Sequence, residues 1–162
     1  MQMPDHRDIG ERFAAAMNRL DQPAMLAVVT EDLVTDWPQS GERIEGFANF
    51  YAMLTNYPRR DGVPPSNDHQ NVGSNPSAAL KLVAPTYTLV AVEGAGNSGT
   101  FTVRVTYPDG SIWWAVNLYQ LRNGKIAYTK TFFAPEYPAP EWRAEWVVSI
   151  PASGDHASKK QD

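Results

Sequence analysis

The chain has 162 residues, 43% hydrophobic and 20% charged, the make-up of one globular domain with material for a single core. A net charge of −4 argues against nucleic acid or an anionic membrane surface as a partner, and no apolar run reaches the ~18 residues of a membrane helix. With 0 cysteines there is no disulfide or thiolate chemistry, and the charged opening MQMPDHRDIGERF lacks the apolar centre of a secretion signal, so a cytoplasmic protein is expected.

In chain order, Ile9, Phe13, Ala16, Met17 and Leu20 fall at helical spacing. Asp5, Asp8 and Glu11 lie toward the end where a helix dipole favours negative charge, so an amphipathic helix opens the stretch from 5 to 29. Asp21 is placed to cap a second short helix. Pro23 lies in its first turn, Met25, Leu26, Val28 and Val29 form its apolar face, and Glu31 and Asp32 close it. Residues 33 to 46 read as a short strand ended by Pro38 and then a polar turn, and 47 to 57 as a third helix carrying Phe47, Phe50, Tyr51 and Leu54. Residues 58 to 77, rich in Pro, Gly, Asn and Ser, follow neither hydrophobic period. They have the make-up of a lid, a binding loop or a disordered excursion.

From Ala79 the alternation of strands takes over in ALKLVAPTYTLVAVEG, GTFTVRVTYPDG, SIWWAVNLYQLRNG and KIAYTKTFFA. Turns at Pro108-Asp109-Gly110 and Asn123-Gly124 join the last three into a meander. Trp142 and Trp146, four apart, predict a short helix over the sheet edge or the open end of the fold. Residues 152 to 162 read as a disordered tail. Helices first and strands after indicate an α+β domain over 1 to 151, with helices packed on one face of an antiparallel sheet.

The strings RFAAAMNRLDQPAMLAVVTEDLVTDWP, PDGSIWW and LYQLRNGKIAYTKTFFA, in that order over residues 5 to about 135, resemble the nuclear transport factor 2-like superfamily, in its SnoaL-like branch. The resemblance implies a cone-shaped barrel, a curved antiparallel sheet wrapped around three N-terminal helices, with a pocket between the concave face and the helices. That group includes ketosteroid isomerases, limonene epoxide hydrolases, polyketide cyclases, dehydratases and non-catalytic domains, so the fold does not fix the function. An ungapped match puts Trp37 at the isomerases' general base, Phe13 at their oxyanion-hole tyrosine and Asn117 at their hydrogen-bond-donating aspartic acid. Thr131 stands where the hydrolases and cyclases tend to place an acid. Of these, indole and phenyl offer no lone pair for proton abstraction, so the isomerase mechanism is not expected. Asp36, one residue before Trp37, points away from the pocket by the two-residue period.

The Tyr107-to-Ser111 turn, with Gly110 left-handed, places Phe101, Val103 and Val105 on one face with Trp113, Ala115 and Asn117. At Asn123-Gly124 a tight two-residue turn would pair Asn117 with Lys130, and a three-residue bulged turn would pair it with Thr129. The bulged form is preferred because it keeps Lys130 outside. The concave face then holds Trp37, Phe101, Val103, Val105, Trp113, Ala115, Asn117, Tyr119, Thr129, Thr131 and Phe133, with no carboxylate among them. Such a face suits a small hydrophobic ligand held by a few directional contacts.

Three readings follow. One is a cofactor-free enzyme acting on a hydrophobic oxygenated substrate such as a polyketide, terpenoid or steroid-like compound. In it Asn117 polarises a carbonyl or hydroxyl, Tyr119 and Thr131 orient it, and His69 in the long loop, or a water, moves the proton. The second is a non-catalytic ligand-binding domain, and the third an interaction module whose cavity is filled by its own side chains. No HExxH or His/carboxylate cluster points to a metal, and no cofactor motif is present. On the convex face Trp114, Val116, Leu118, Ile126, Tyr128 and Phe132 make a patch larger than a monomer normally exposes, and the resemblance implies a homodimer through it. Arg104 beside Trp114 is positioned for a cation–π contact.

Overall fold

The computed structural model describes residues 4 to 57 and 85 to 150. The expected loop at 58 to 77, with His69 and Asp61, and the expected tail at 152 to 162 lie outside the described residues. Helix α1 (His6–Arg19) is capped by Asp5, whose carboxylate accepts the Asp8 N–H at 3.0 Å, and it buries Ile9, Phe13 and Ala16. It stops at Leu20, in the left-handed region at φ 49°, where the Asp21 N–H reaches the Ala16 carbonyl at 3.0 Å. Asp21 then caps α2 (Gln22–Val28) by accepting the Ala24 N–H at 3.0 Å.

The chain leaves α2 earlier than the sequence predicts. Strand β1 (Val29–Trp37) already contains Glu31 and Asp32, which are exposed, while Val29, Leu33 and Thr35 are buried. A two-residue strand period serves the burial of Val29, Leu33 and Thr35 better than a continued helix, which would have carried Glu31 and Asp32 toward the core. Pro38 follows the strand's end as expected, and the polar stretch after it pairs back as β2 (Glu42–Glu45) before α3 (Phe47–Thr55).

β3 (Thr86–Ala95), β4 (Ser98–Thr106), β5 (Ile112–Arg122) and β6 (Lys125–Pro135) complete one curved, unclosed six-stranded sheet in the order β2-β1-β6-β5-β4-β3. It is not wholly antiparallel, because β1 runs parallel to β6, with Thr35 opposite Thr129. A strand formed among the N-terminal helices reaches the last strand of the meander only by a crossover, and that connection delivers it in the parallel sense. The three helices lie against the concave side, where Phe13 stacks on Phe50 at a centroid distance of 6.3 Å and meets Phe101 edge to face at 5.9 Å. Asn18 on α1 is tied to β3 through both Tyr87 backbone groups, at 2.7 and 2.8 Å. No helix among the described residues is long and apolar enough to cross a membrane.

Val105 pairs with Trp113, and the Tyr107 N–H donates to the Ser111 carbonyl at 2.9 Å, the register that the Gly110 turn predicts. The β5–β6 register differs from both alternatives. Asn123 and Gly124, at φ 53° and 75°, form the tight two-residue turn and pair Arg122 with Lys125 and Leu121 with Ile126. Ala127 is then an extra residue, so beyond it Tyr119 pairs with Thr129 and Asn117 with Thr131. The bulge restores the parity that the longer turn would have set. Thr129, Thr131 and Phe133 share the concave face with Asn117, but Ile126, expected outside, is fully buried.

Of the remaining outer residues Val116, Leu118 and Phe132 are 37 to 43% exposed, whereas Trp114 and Tyr128 are half-buried. Arg104 and Trp114 do stand side by side, and both donate to Glu136, at 3.4 and 3.2 Å, so a shared carboxylate joins them rather than a cation over a ring. The 3-10 helix Glu141–Trp146 covers neither sheet edge nor opening, for it buries none of its residues. Its indoles and carboxylates alternate around a short, tight helix, leaving no face long enough to lie on the sheet it leaves.

Candidate functional site

Between the concave face and the helices lies a cavity of about 840 Å³, large enough for a drug-sized organic molecule. Its depth is set by two adjacent rungs of the sheet. On one, Thr35 of β1 faces Thr129 of β6, and their buried hydroxyls hydrogen-bond at 2.9 Å. On the next, the Thr131 hydroxyl donates to the Asn117 side-chain oxygen at 2.8 Å, and the Asn117 amide nitrogen donates to the Phe101 carbonyl at 3.3 Å. An asparagine amide has two N–H bonds, so this arrangement fixes its orientation and leaves one donor on a residue that lines the cavity. All four groups are neutral, and a ligand oxygen is what such donors recognise.

Around this polar patch the walls are apolar, built from Phe13, Phe50, Phe101, Met17, Met53 and Leu54. Toward one side Trp37 meets Phe133 edge to face at 5.4 Å, and Gln39 clasps both backbone groups of Phe133, which pins the end of β6. Toward the other side Tyr57 and Tyr107 lie 5.9 Å apart and Tyr107 meets Trp113 at 6.2 Å, with Tyr87 also on the lining. Burial raises the pKa of all three phenols, and the Asp109 carboxylate adds to the effect at Tyr57 and Tyr107, so they stand as neutral hydrogen-bond donors. Asp109, exposed at the tip of the β4–β5 turn and bonded by the Ser111 N–H at 2.8 Å, puts a carboxylate on the cavity rim. The expectation of a pocket without any carboxylate is corrected there, because a turn residue follows no strand parity.

Of the expected site residues, Trp37, Phe101, Trp113, Asn117, Thr129, Thr131 and Phe133 all line the cavity. Tyr119 does not. It is 2% exposed and leans over Gly99, its hydroxyl hydrogen-bonded with His6 Nδ1 at 2.6 Å under the start of α1. Tyr119 therefore has a partner from the first helix, which strand parity cannot reveal. His69 lies outside the described residues. Sequence reasoning passed over Thr35, although the two-residue period from Trp37 points to it. It also passed over Tyr57, Tyr87 and Tyr107, which the curvature of the sheet gathers from separate elements. Among the described residues no group of His, Asp and Glu is placed to hold a metal ion.

Asp36 stays outside the cavity, as the strand period requires. Arg43 grips it with two hydrogen bonds, at 2.7 and 2.9 Å, and the Tyr128 hydroxyl donates at 2.8 Å. These bonds, Arg43 first, hold its pKa at about 2 rather than 3.8. A carboxylate depressed on folding stabilises the native state above the unfolded pKa and loses that contribution as the pH falls through the folded one. Asp36→Asn should therefore flatten the acid limb of stability between pH ~4 and ~2. Urea midpoints measured across that range check it, and an unchanged limb would refute the assignment.

No family model and no curated protein matches the chain. Among solved structures it is similar to an NTF-2 like protein of unknown function from Burkholderia xenovorans LB400, with a TM-score of 0.67 and 25% identity over 90% of this chain and 94% of that one. It is also similar to a candidate ketosteroid isomerase from Kribbella flavida, with a TM-score of 0.66 and 20% identity over 91% and 90% of the two chains. An LEH-like epoxide hydrolase from M. tuberculosis follows the same fold, with a TM-score of 0.52 and 15% identity over 78% and 80%.

Proposed function

From the nuclear transport factor 2-like fold that this chain adopts, we propose that the protein binds a hydrophobic, oxygen-bearing small molecule in the helix-lined cavity, its oxygen seated against Asn117 and Thr131. The observation that carries this reading is the neutral donor patch at one place in an otherwise apolar space of about 840 Å³. A carbonyl or hydroxyl satisfies the spare Asn117 donor, while a hydrocarbon leaves it unpaired at a cost of about 1–3 kcal/mol. Polyketide, terpenoid and steroid-like ketones have the size and polarity for it.

A catalytic version has one observation in its favour. Asp109 brings a carboxylate to the rim beside Tyr57 and Tyr107, so a substrate anchored by its oxygen and reaching the mouth would meet a proton acceptor and two neutral donors there. The deep patch holds no such base, so any isomerisation, cyclisation, dehydration or hydrolysis would be assigned to the rim.

The test is a thermal-shift screen with hydrophobic ketones and alcohols, each beside its parent hydrocarbon. A ligand at ~100 times its Kd adds about 2.7 kcal/mol, or roughly 5–10 °C for a domain of this size. Stabilisation by the oxygenated members above their hydrocarbons is the expected result. Equal shifts, or none from the whole series, would overturn the reading.

A further inference from the structure

The inner face of the sheet is built in rungs, and the Asn117 donor occupies only one of them. Phe101, Asn117 and Thr131 pair across β4, β5 and β6. The next inward rung, Val103, Ala115 and Phe133, is wholly apolar. The rung beyond it sets Tyr87, Val105 and Trp113 side by side. Trp113 lies four residues from Asn117 along β5, which puts the Tyr87 rung about 13 Å from the Asn117 rung.

The Tyr87 end is polar in its own right. Tyr57, just beyond α3, and Tyr107, just beyond β4, bring their phenols to it, with ring centroids 5.9 Å apart. Burial raises the pKa of all three phenols. In addition Tyr107 and Tyr57 raise that of Tyr87, and Tyr57 raises that of Tyr107, as groups do when they converge. Among the described residues no hydrogen bond occupies any of the three hydroxyls, since the bonds between Tyr87 and Asn18 are made by the Tyr87 backbone. Neutral phenols offer donors, so an acceptor is the group that suits them. The Asp109 carboxylate, which acts on Tyr57 and Tyr107, disfavours an acceptor that is itself an anion.

We propose that the ligand is an extended molecule with a neutral oxygen at each end, one seated at Asn117 and the other at Tyr87 and Tyr107, joined by an apolar skeleton that lies over Val103 and Ala115. This rests on the ligand reading above and adds to it a length, a second oxygen and the absence of charge at the outer end. The small Ala115 side chain at the middle rung leaves room for a ring system to lie close to the sheet, with Phe133 beside it. A compact ketone satisfies one end and leaves the phenols to water. An acid of the same length satisfies both ends but brings its charge toward Asp109.

Androstanone and androstanedione share a rigid skeleton and differ by a ketone at its far end, so titration calorimetry with the two on the full chain isolates the second contact. The diketone should bind about 3- to 10-fold more tightly, the worth of one hydrogen bond. The same skeleton with a carboxylate in place of the far ketone should bind no better than the monoketone. Tyr87→Phe/Tyr107→Phe keeps both rings and the backbone bonds to Asn18, and it should cancel the diketone's advantage. Equal affinity for the two ketones would overturn the proposal, as would an advantage that survives the double variant or a carboxylate that outbinds the diketone. In each of these cases a monoketone bound above androstane leaves the ligand reading standing. If neither ketone binds above androstane, the ligand reading and the proposal fall together.

Discussion

Replacing Asn117 by Leu should lower the affinity for an oxygen-bearing ligand by about 10- to 100-fold while leaving the affinity for its parent hydrocarbon within a few-fold. The expectation follows from the net worth of about 1–3 kcal/mol for a hydrogen bond whose loss strands a buried group, at 1.4 kcal/mol per tenfold. The substitution preserves volume and strand position. It removes the amide that donates to the Phe101 carbonyl and accepts from Thr131, so that hydroxyl must find another acceptor and a modest loss of stability is expected as well. Because the comparison is between two ligands on one variant, that loss cancels. Titration calorimetry with a ketone and its hydrocarbon reads it directly. Equal weakening of both ligands would show that Asn117 shapes the cavity and does not recognise oxygen.

Gly99→Ala should destabilise the fold by about 3 kcal/mol, lowering the thermal midpoint by roughly 6–12 °C. Gly94, Gly99 and Tyr119 sit side by side across β3, β4 and β5. The Tyr119 ring lies directly over Gly99, so a methyl there would overlap the phenol and come within 2.8 Å of the Glu93 carbonyl, which is backbone and cannot turn aside. Displacing the ring also breaks its hydrogen bond to His6. Tyr119→Phe separates the two effects, since it keeps the ring and loses only that bond, at about 1 kcal/mol. If Gly99→Ala melts within a degree of the wild type, the close packing described at this rung is wrong.

The fold was largely legible because its signals are local. Asp5 and Asp21 cap the helices they precede in the sequence, Gly110 occupies the left-handed position that its turn needs, and the alternation from Phe101 to Phe133 assigns the two sheet faces. The parallel pairing of β1 with β6 and the extra residue at Ala127 have no local signal, because each is imposed by how distant strands meet. The cavity follows the same division. Strand parity finds Trp37, Asn117, Thr129 and Thr131. It cannot find Tyr119's partner on α1, or a rim assembled from Tyr57 at the end of a helix, Tyr87 on a strand edge and Asp109 in a turn.

The extra residue at Ala127 lets a single strand obey two phases. Before it, Ile126 faces inward beside Leu121 and seals the base of the sheet. After it, Thr129 and Thr131 face inward and furnish the cavity, although they lie three and five positions beyond Ile126. The two halves of β6 are therefore mechanically joined but independent in which side chains they show to the interior. Were Ala127 instead taken into regular pairing, the base would stay sealed and the cavity half would turn inside out, exchanging the threonines for Tyr128, Lys130 and Phe132. In this architecture the chemistry of the binding chamber is set by the chain's phase as much as by its composition, and straightening one bulge would exchange a neutral chamber for a charged one without substituting any residue.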